Sequence, residues 1–381
     1  MKHFDYIFSG GGCAALSLLV RICEDSFFAD KRILLIDKSL KQENDRTWCF
    51  WEKSAGRFEP VVHHKWQRLS IAGDNYNEIH ELSPYEYKMI RGIDFYNYCH
   101  GIILGNTNVT ILHEEILATG NDDIVPFVKT ATGKYTARYV FNSVLFNAAE
   151  VRHKLTKKDH YLLQHFKGRL IETDQDVFDP SVGTLMDFRI SQNAGTSFVY
   201  TLPVSPRKAL VEYTLFTADL LQQEQYDAVI NDYISNYLNI SDYKTEADEF
   251  GVIPMTSYKF PTHEGSVINI GTAGGQTKPS SGYTFTFIQK HSALIIELLK
   301  AGQFPVREES FSEKKFRWYD RTLLNVLANK KLQGAFVFTE LFRKNTITDV
   351  FSFLDNETSI GRDLKVISVL PKWVFAKAGL S

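Results

Sequence analysis

Cysteine is scarce in this sequence, and no two of its cysteines lie close together. The 381 residues contain four, at positions 13, 23, 49 and 99. None of the intervals matches the CxxC spacing of zinc sites or thiol redox motifs. All four fall in or near segments predicted to be core, as is typical of reduced thiols in a cytoplasm. We therefore expect neither a disulfide framework nor a metal site.

An excess of charge of either sign is also lacking. The chain carries 43 lysines and arginines against 45 aspartates and glutamates, which gives a formal net charge of −2. Proteins that bind nucleic acid usually carry a basic patch or stripe, and this balance gives no reason to expect one. With 44% hydrophobic and 23% charged residues, the composition is that of an ordinary globular protein without a nucleic-acid partner.

Long apolar runs are absent as well. No run approaches the roughly 18 residues needed to span a bilayer. Met1 leads into a predicted strand within four residues, which leaves no room for a signal peptide. We therefore expect a protein that is cytoplasmic or peripheral to a membrane. The aromatic content of 13% is high, and it fits either a greasy ligand or membrane face, or simply a core rich in aromatic side chains.

The start of the chain has the pattern of a dinucleotide-binding βαβ unit. A buried strand, a glycine turn, an apolar helix and a second strand follow each other directly, and the second strand runs into Asp37. Gly10 permits the tight turn, and Gly12 lets the backbone approach a pyrophosphate. Ala15, at the third glycine position, still allows the helix to pack closely on the strand. Asp37 is placed to bind a ribose hydroxyl, which favours FAD or NAD over NADP.

Residues 271–283 form a second glycine-rich segment, which follows a largely apolar predicted strand. Pro279 fixes a turn in it, and a helix is predicted directly afterwards. Its backbone amides and the helix N-terminus suit an anionic ligand. FAD is long enough to require two loops that lie far apart in the sequence, and NAD is not. An ordinary Gly/Pro loop is the alternative interpretation.

A chain of this length exceeds the size at which a single hydrophobic core usually stops growing, so we expect joined domains. The predicted class is α/β: an FAD-binding Rossmann-like βαβ domain of the flavin hydroxylase type, an interleaved β-sheet substrate domain and a helical C-terminal part. The predicted divisions are a first FAD-binding part (residues 1–160), a β-rich substrate domain (161–250), a second FAD-binding part (251–300) and a helical C-terminal region (301–381) that lines the substrate tunnel or faces a membrane. Helical periodicity is found at residues 220–238, 287–299 and 319–327.

Glu212 stands in an otherwise apolar strand predicted at residues 209–215. A carboxyl group in such a strand faces water, pairs with a cation, or has its pKa raised by desolvation. A raised pKa is what a general acid near neutral pH requires. The pattern alone fits a solvent-facing glutamate as well as a buried acid.

Seven segments carry a further signal across nearly the whole chain. They are Gly10 to Ala15, Asn44 to Trp51, Tyr87 to Asp94, Gln164 to Phe166, Phe198 to Thr214, Gly251 to Thr256 and Gly271 to Phe285. In this order they resemble the bacterial and plant lycopene β-cyclases, and the Trp-containing block and the second glycine loop are the most specific of them. Redox flavin hydroxylases of the same fold usually have an aspartate after the first glycine of the second loop, where this chain has Thr272.

The resemblance implies cyclisation of the linear ψ-ends of lycopene to β-ionone rings, which gives γ-carotene and β-carotene without net redox change. It implies reduced FAD as the active cofactor, with NAD(P)H as the electron donor, and lycopene and other ψ-end carotenoids as substrates. Glu212 matches the acid of the family's Glu motif and is the predicted catalytic residue. The family often has two adjacent acids, but Tyr213 occupies the second place here. The flavin would either stabilise the cation or relay the proton.

The predicted cofactor-binding residues come from the two glycine loops, the end of the second strand and the Trp-containing block. They are Gly10, Gly12, Ala14, Ala15, Asp37, Lys38, Arg46, Trp48, Gly271, Thr272, Ala273, Gly274, Pro279, Gly282 and Tyr283. Two other functions remain open. One is a redox flavoenzyme of the same fold that acts on an isoprenoid or aromatic substrate, and the other is a non-enzymatic, flavin-containing carotenoid-binding protein.

A membrane surface is a further expected partner, because lycopene is insoluble in water and has to enter from lipid or from another enzyme. The motivating segment is residues 336–354, where aromatic and aliphatic residues alternate with Arg343 and Lys344. We therefore expect a peripheral position on the cytoplasmic membrane. A buried helical cap is the alternative for this segment.

Overall fold

The computed structural model describes residues 2–145, 148–157 and 159–380. Its strands, in chain order, are β1 (Lys2–Ser9), β2 (Ile33–Ile36), β3 (Thr47–Glu52), β4 (His64–Trp66), β5 (Arg68–Gly73), β6 (Tyr76–Glu81), β7 (Glu86–Arg91), β8 (Val109–Leu112), β9 (Ile116–Asp122), β10 (Val125–Thr130), β11 (Lys134–Asn142), β12 (Tyr161–Glu172), β13 (Val182–Asp187), β14 (Thr196–Ser205), β15 (Lys208–Thr217), β16 (Lys244–Thr256), β17 (His263–Glu264) and β18 (Val267–Asn269). Its helices are α1 (Cys13–Cys23), α2 (Gly92–Leu104), α3 (Ala148–Lys154), α4 (Gln223–Asp232), α5 (Phe285–Lys300), α6 (Phe311–Ala328), α7 (Gly334–Lys344), α8 (Ile347–Leu354), α9 (Ile360–Ile367) and α10 (Lys372–Leu380).

The first strands form a mainly parallel sheet in the order β18-β11-β1-β2-β8, with β17 antiparallel at the β18 edge. The hairpin of β9 and β10 joins it through β11. The predicted unit β1–α1–β2 is therefore confirmed. Helix α1 is buried over almost all its length and packs against α2 and α5, which explains why its sequence lacks a polar face.

Strand β18 brings the second glycine loop to the first. Val140, Phe141 and Asn142 of β11 pair with residues 267–269 of β18 in parallel register. Because the carboxyl ends of parallel strands lie at the same edge of a sheet, the turn after β1 and the turn after β18 open side by side. This edge is where open α/β sheets bind their ligands.

A second, larger sheet has the order β16-β12-β15-β14-β13-β5-β6, and it is antiparallel except where β13 pairs with β5. It takes β5 and β6 from residues 68–81, a segment that the sequence analysis placed in the first FAD-binding part, and β16 continues to Thr256. The division into domains itself stays a prediction. The strands of a small sheet, β3-β7-β4, are interleaved in the sequence with strands of both larger sheets.

Side chains alternate between the two faces of the large sheet. One face packs Val199, Val211 and Leu215 against α4 and the π-helical turn Tyr233–Tyr237 that follows it. The other face presents Phe198, Leu210 and Phe216, together with Glu212, toward the cofactor-binding edge and the C-terminal helices. The position of Glu212 in this alternation decides that it points inward.

The C-terminal helices are tied to the second glycine loop by buried polar contacts. Lys278 forms an ion pair with Asp320 of α6 at 2.9 Å and donates a hydrogen bond to Asn356 Oδ1 at 2.8 Å. The Ser280 hydroxyl donates to the same Asp320 carboxylate at 2.6 Å. The loop conformation is therefore fixed from outside as well as by its own glycines.

Two predicted segments differ in the structure. The helix predicted at 220–238 begins at Gln223, where Gln222 and Gln225 form a reciprocal cap, and it continues as the π-helical turn. The segment 336–354 forms α7 and α8, and most of its large side chains, such as Phe338 and Phe351, are buried. This burial favours the alternative of a buried helical cap, although Phe336, Arg343 and Lys344 remain exposed.

Candidate active site

The two glycine loops and the large sheet line a cavity of about 680 Å³. Helix α1 starts at the cavity with Gly12 as its N-cap, and no side chain caps its first amides. Helix α5 also starts there, after Thr284, and its N-terminus is likewise without a side-chain cap. Uncapped helix N-termini attract anionic groups. One end of the cavity, which we call the nucleotide end, therefore offers two such termini to a ligand.

The first loop has the geometry that its glycines predict. Gly10 has a φ of +90°, and a Cβ there would lie 2.6 Å from Ser143 Oγ, so the turn requires glycine. At Gly12, a Cβ would meet nothing within 4 Å and would point into the cavity. Ala15 is fully buried in the packing of α1, and Ala14 lines the cavity.

The second loop crosses the start of α1. Gly271 has a φ of +64°, and a Cβ there would lie 2.9 Å from the Ala14 Cβ, so the two loops touch at this point. Gly282 has a φ of +73°, and a Cβ on it would overlap the amide oxygen of Gln164. That buried oxygen of Gln164, which faces the cavity, has no hydrogen-bond partner.

The remaining predicted cofactor-binding residues divide between cavity and surroundings. Arg46, Trp48, Thr272 and Tyr283 line the cavity. Those outside the lining are Asp37, Lys38, Ala273, Gly274 and Pro279. The Asp37 carboxylate accepts hydrogen bonds from the main-chain N–H groups of Gly11 and Ser39, which places it beside the first loop. Lys38 is exposed and pairs with Glu115 at 3.1 Å, so its ammonium group points away from the loops.

The opposite, acid end of the cavity is built on a row of residues across four strands. Tyr200 of β14 pairs with Glu212 of β15, Glu212 pairs with Gly168 of β12, and Gly168 pairs with Glu249 of β16. Glu212 and Glu249 both line the cavity, and their carboxyl groups are hydrogen-bonded to each other. The site therefore contains two acids where the sequence predicted one.

Burial and mutual repulsion keep a proton on this pair. Both side chains are half-buried and line the cavity. Burial is the main cause that raises the pKa of Glu212 well above its ordinary value, and the charge of Glu249 raises that pKa further. Burial also raises the pKa of Glu249, while hydrogen bonds from Thr47 (2.8 Å) and Glu212 oppose that rise. Glu212 is thus the protonated member.

Neutral polar groups surround the acid end. The hydroxyl groups of Tyr87 and Tyr283 lie 3.2 Å apart, and Tyr283 is also hydrogen-bonded to Tyr200. Burial raises the pKa of all three phenols and of the Cys49 thiol well above their ordinary values, so they carry no charge near neutral pH. Glu249 and Gly168 are site residues that no local sequence pattern predicts. Their only signal is the register of β12 between β15 and β16.

Comparison with known proteins decides the family. The model of the family described as lycopene cyclase protein matches residues 5–378. The chain belongs to the lycopene cyclase family. This confirms the resemblance carried by the seven segments. The matched range includes the residues of both the nucleotide end and the acid end. A search of curated protein sequences gave no significant match.

Solved structures agree with the lycopene cyclase family in fold. A flavoprotein/dehydrogenase from Cytophaga hutchinsonii superposes with a TM-score of 0.66 at 10% identity, covering 100% of this chain and 99% of that one. A geranylgeranyl bacteriochlorophyll reductase-like protein from Thermoplasma acidophilum gives 0.62 at 13%, covering 99% and 98%. The p-nitrophenol 4-monooxygenase of Pseudomonas putida gives 0.60 at 12%, covering 100% and 99%. The predicted α/β fold of the flavin hydroxylase type is confirmed.

Proposed function

We propose that this chain is a lycopene β-cyclase that closes the ψ-ends of lycopene into β-ionone rings, giving γ-carotene and then β-carotene without net redox change. The observation that carries the proposal is the protonated Glu212 in the wall of this cavity. No lysine or arginine among the described residues forms an ion pair with Glu212 or Glu249. A carboxylic acid that keeps its proton near neutral pH is what protonation of an alkene requires.

The residues of the nucleotide end fit FAD. The open space at Gly12, the uncapped starts of α1 and α5, and the unpartnered oxygen of Gln164 are features that an anionic dinucleotide with a polar ring would satisfy. Gly12 and Ala14, at the turn that Gly10 permits, would hold the pyrophosphate, Asp37, beside the first loop, would hold the ribose, and Gly271, Thr272 and Gly282 would hold the remainder. When bound in its reduced form, FAD supplies an electron-rich ring system that stabilises positive charge.

The chemistry assigned to the protein starts at Glu212. Its carboxyl group donates a proton to the terminal double bond of a ψ-end, and the resulting cation is attacked by the next double bond in reach, which closes the ring. Loss of a ring proton sets the β double bond. The proton gained in the first step equals the proton lost in the last, so no oxidant or reductant is consumed.

The walls of the acid end suit a cationic intermediate. The rings of Tyr87, Tyr200 and Tyr283 line the cavity, and aromatic faces attract cations. Leu202 and Leu210 extend the apolar wall beside Glu212. Such a lining excludes water, which would otherwise trap the cation as an alcohol.

Pigment analysis after expression in lycopene-accumulating cells tests the proposal. We expect γ-carotene and β-carotene, both with the mass of lycopene, and with purified protein we expect NAD(P)H to be needed only to keep the flavin reduced. Hydrogenated or hydroxylated products, with one nicotinamide oxidised per product, would indicate the redox alternative. Lycopene recovered unchanged from a flavin-loaded protein would indicate a carotenoid-binding protein.

We also propose that the protein docks on a membrane surface to receive lycopene. No helix within the described ranges is long and apolar enough to cross a bilayer. Exposed apolar side chains are found instead on α9 and α10, where Ile360 and Leu364 are 49% and 55% exposed and Trp373 and Leu380 are both 89% exposed. Exposed basic residues of the same helices are Arg362, Lys365, Lys372 and Lys377. Apolar and basic residues together suit an anionic lipid surface.

Flotation with anionic, lycopene-loaded vesicles at low salt tests this docking. We expect the wild type to float with the vesicles and a Leu364→Ser/Trp373→Ala variant to stay at the bottom. Ile124→Ser is the matched control, because Ile124 is 86% exposed on the β9–β10 hairpin, away from these helices. Equal flotation of both variants would contradict the proposed surface.

A further inference from the structure

We propose that Glu249 is a positioning residue, which shares one proton with Glu212 across Gly168 and holds that proton on Glu212 for delivery to the substrate. The inference deepens the proposed function and rests on it, because cyclisation is what gives the proton a task. It adds a second acid from β16, a strand on the far side of β12 from Glu212.

Gly168 is what allows carboxyl groups from non-adjacent strands to meet. Neighbouring strands lie about 4.8 Å apart, so the main chains that carry Glu212 and Glu249 are about 10 Å apart. A Cβ on Gly168 would lie 2.9 Å from Glu249 Cγ, 3.1 Å from Glu249 Oε1 and 3.1 Å from Leu210 Cδ1. The Glu249 side chain thus lies over the space that a larger residue would fill. Because Gly168 has no side chain, the space between the two carboxyl groups stays free.

The contacts of the pair are unequal, and this decides where the proton resides. Glu249 accepts hydrogen bonds from both the Thr47 hydroxyl and the Glu212 carboxyl. Glu212 accepts one, from Thr214 at 3.0 Å. A carboxyl group that receives two donors is stabilised in its ionised form. Glu249 is therefore the anion, and Glu212 carries the proton, which it donates in the hydrogen bond to Glu249.

No other group near the pair replaces Glu249 in this role. The titratable groups that face the acid end from the neighbouring elements are neutral: Cys49 of β3, Tyr87 of β7, Tyr200 of β14 and Tyr283 of the second loop. Lys167 and Arg169 flank Gly168 but form ion pairs with Asp227 of α4. Asp248, next to Glu249, pairs with Arg169. The charges of the opposite face are thus satisfied there.

The Glu212–Glu249 pair loses one proton and regains one proton in each catalytic cycle. In the first step the O–H bond of Glu212 breaks, and a C–H bond forms with the electron pair of the terminal alkene. The pair is then doubly ionised beside a cation, which favours recapture of a proton. In the last step a ring C–H bond breaks, its electrons form the ring double bond, and the proton returns to the pair. Glu249 keeps its hydrogen bond from the Thr47 hydroxyl in each of these steps.

The pH profile of cyclisation separates this role from a merely structural one. Activity requires Glu212 to be protonated, so it falls as pH rises through the pKa of that group. Glu249→Gln keeps a hydrogen-bond acceptor but removes the repelling charge. We expect activity to remain at low pH, with the high-pH limb displaced downward by at least about one pH unit. Glu246→Gln is the control, because Glu246 lies on the same strand but pairs with Lys208 outside the cavity.

Gly168→Ala gives an independent test, because it separates the two carboxyl groups and removes neither. We expect the same downward displacement, and no displacement for Gly101→Ala, whose Cβ would meet nothing within 4 Å. Should Glu249→Gln fail to fold, this variant decides the matter. An unchanged high-pH limb in the folded variant would overturn the shared proton.

A readout without turnover separates this inference from the proposed function. The C=O stretch of the protonated carboxyl can be titrated by infrared difference spectroscopy against Glu212→Gln. We expect the midpoint of the wild type to fall in Glu249→Gln and in Gly168→Ala. A midpoint that stays in place overturns the pair, whether or not lycopene is cyclised. A wild type that leaves lycopene unchanged overturns the proposed function, and the titration still tests the pair.

Discussion

The two ends of the cavity differ in whether main-chain groups or side chains form them. The nucleotide end consists mainly of glycines, main-chain amides and helix starts, and its essential positions follow each other within two short segments of sequence. The acid end consists of side chains from strands that are far apart in the sequence, held in one row by sheet register. In the proposed function, cofactor binding therefore depends on backbone geometry, and proton transfer depends on the placement of side chains. Substitutions at the two ends should therefore have separable effects.

The largest effect is expected from Gly12→Val. Its side chain would fill the space into which the nucleotide end opens, so we expect a folded protein that purifies without flavin and is colourless. Gly12→Ala, which adds a Cβ that meets nothing within 4 Å, is the graded control and should lose less flavin. Absorbance spectra and thermal unfolding measure flavin content and folding. A yellow Gly12→Val protein with full flavin content would show that the cofactor does not lie against this loop.

The complementary change is Glu212→Gln, which should leave flavin content intact and lower cyclisation by at least ~100-fold, the lower range of general acid catalysis. The amide keeps the shape of the carboxyl group but has no acidic proton to give. Glu212→Asp should also lose activity, by ~100-fold, because a displacement of ~1 Å can have that effect. Initial rates of γ-carotene formation are the measurement, and Glu246→Gln should retain the wild-type rate. Wild-type cyclisation by Glu212→Gln would mean that the proton comes from another donor.

A smaller effect, on stability, distinguishes a protonated acid from an ion-paired one. The folded-state pKa of Glu212 lies above its unfolded value, so its contribution is fully present below about pH 4.5 and is lost as pH rises through the folded pKa. Glu212→Gln should therefore gain stability relative to the wild type as pH rises, by about 1.4 kcal/mol for each unit that separates the two pKa values. Urea unfolding between pH 5 and about pH 9 measures this difference.

Glu246 supplies the opposite sign for this comparison. A hydrogen bond from Lys208 lowers its pKa, so its contribution is present at neutral pH and is lost as pH falls through the folded pKa. Glu246→Gln should lose stability relative to the wild type at neutral pH and approach it in acid. Parallel pH dependences for the two variants would contradict the assignment of a neutral Glu212.

The contrast between the ends also explains what the sequence could predict. Gly10, Gly12 and Gly271 were recognisable because a tight turn or a close approach restricts those positions to glycine within a local pattern. Glu212 was recognisable as an acid in an apolar strand, and the family resemblance supplied its role. The partnership with Glu249 depends on how β12 aligns with both neighbours, and a shift of one residue would turn either glutamate to the other face. Local periodicity does not fix that alignment.

The segment at 336–354 shows what composition leaves undetermined. Its aromatic and basic residues match the composition of a membrane surface, but α7 packs on β5 and β14 and buries Phe338, Leu341 and Phe342, while Arg343 and Lys344 stay exposed. Composition reports which side chains are apolar and leaves open which neighbour covers them. The exposed apolar residues of α9 and α10 are few and widely spaced in sequence, so no continuous apolar segment predicts them.

The pairing of β18 with β11 has a consequence for synthesis of the protein. Val140 to Asn142 gain their second neighbour from Val267 to Asn269, so a growing chain exposes this edge of the parallel sheet until most of the polypeptide has been made. Open strand edges invite pairing with other chains, and contacts between distant residues slow folding. The parallel sheet therefore cannot be completed before β18 has been synthesised. Truncated chains that end before residue 267 should aggregate rather than accumulate as a folded fragment.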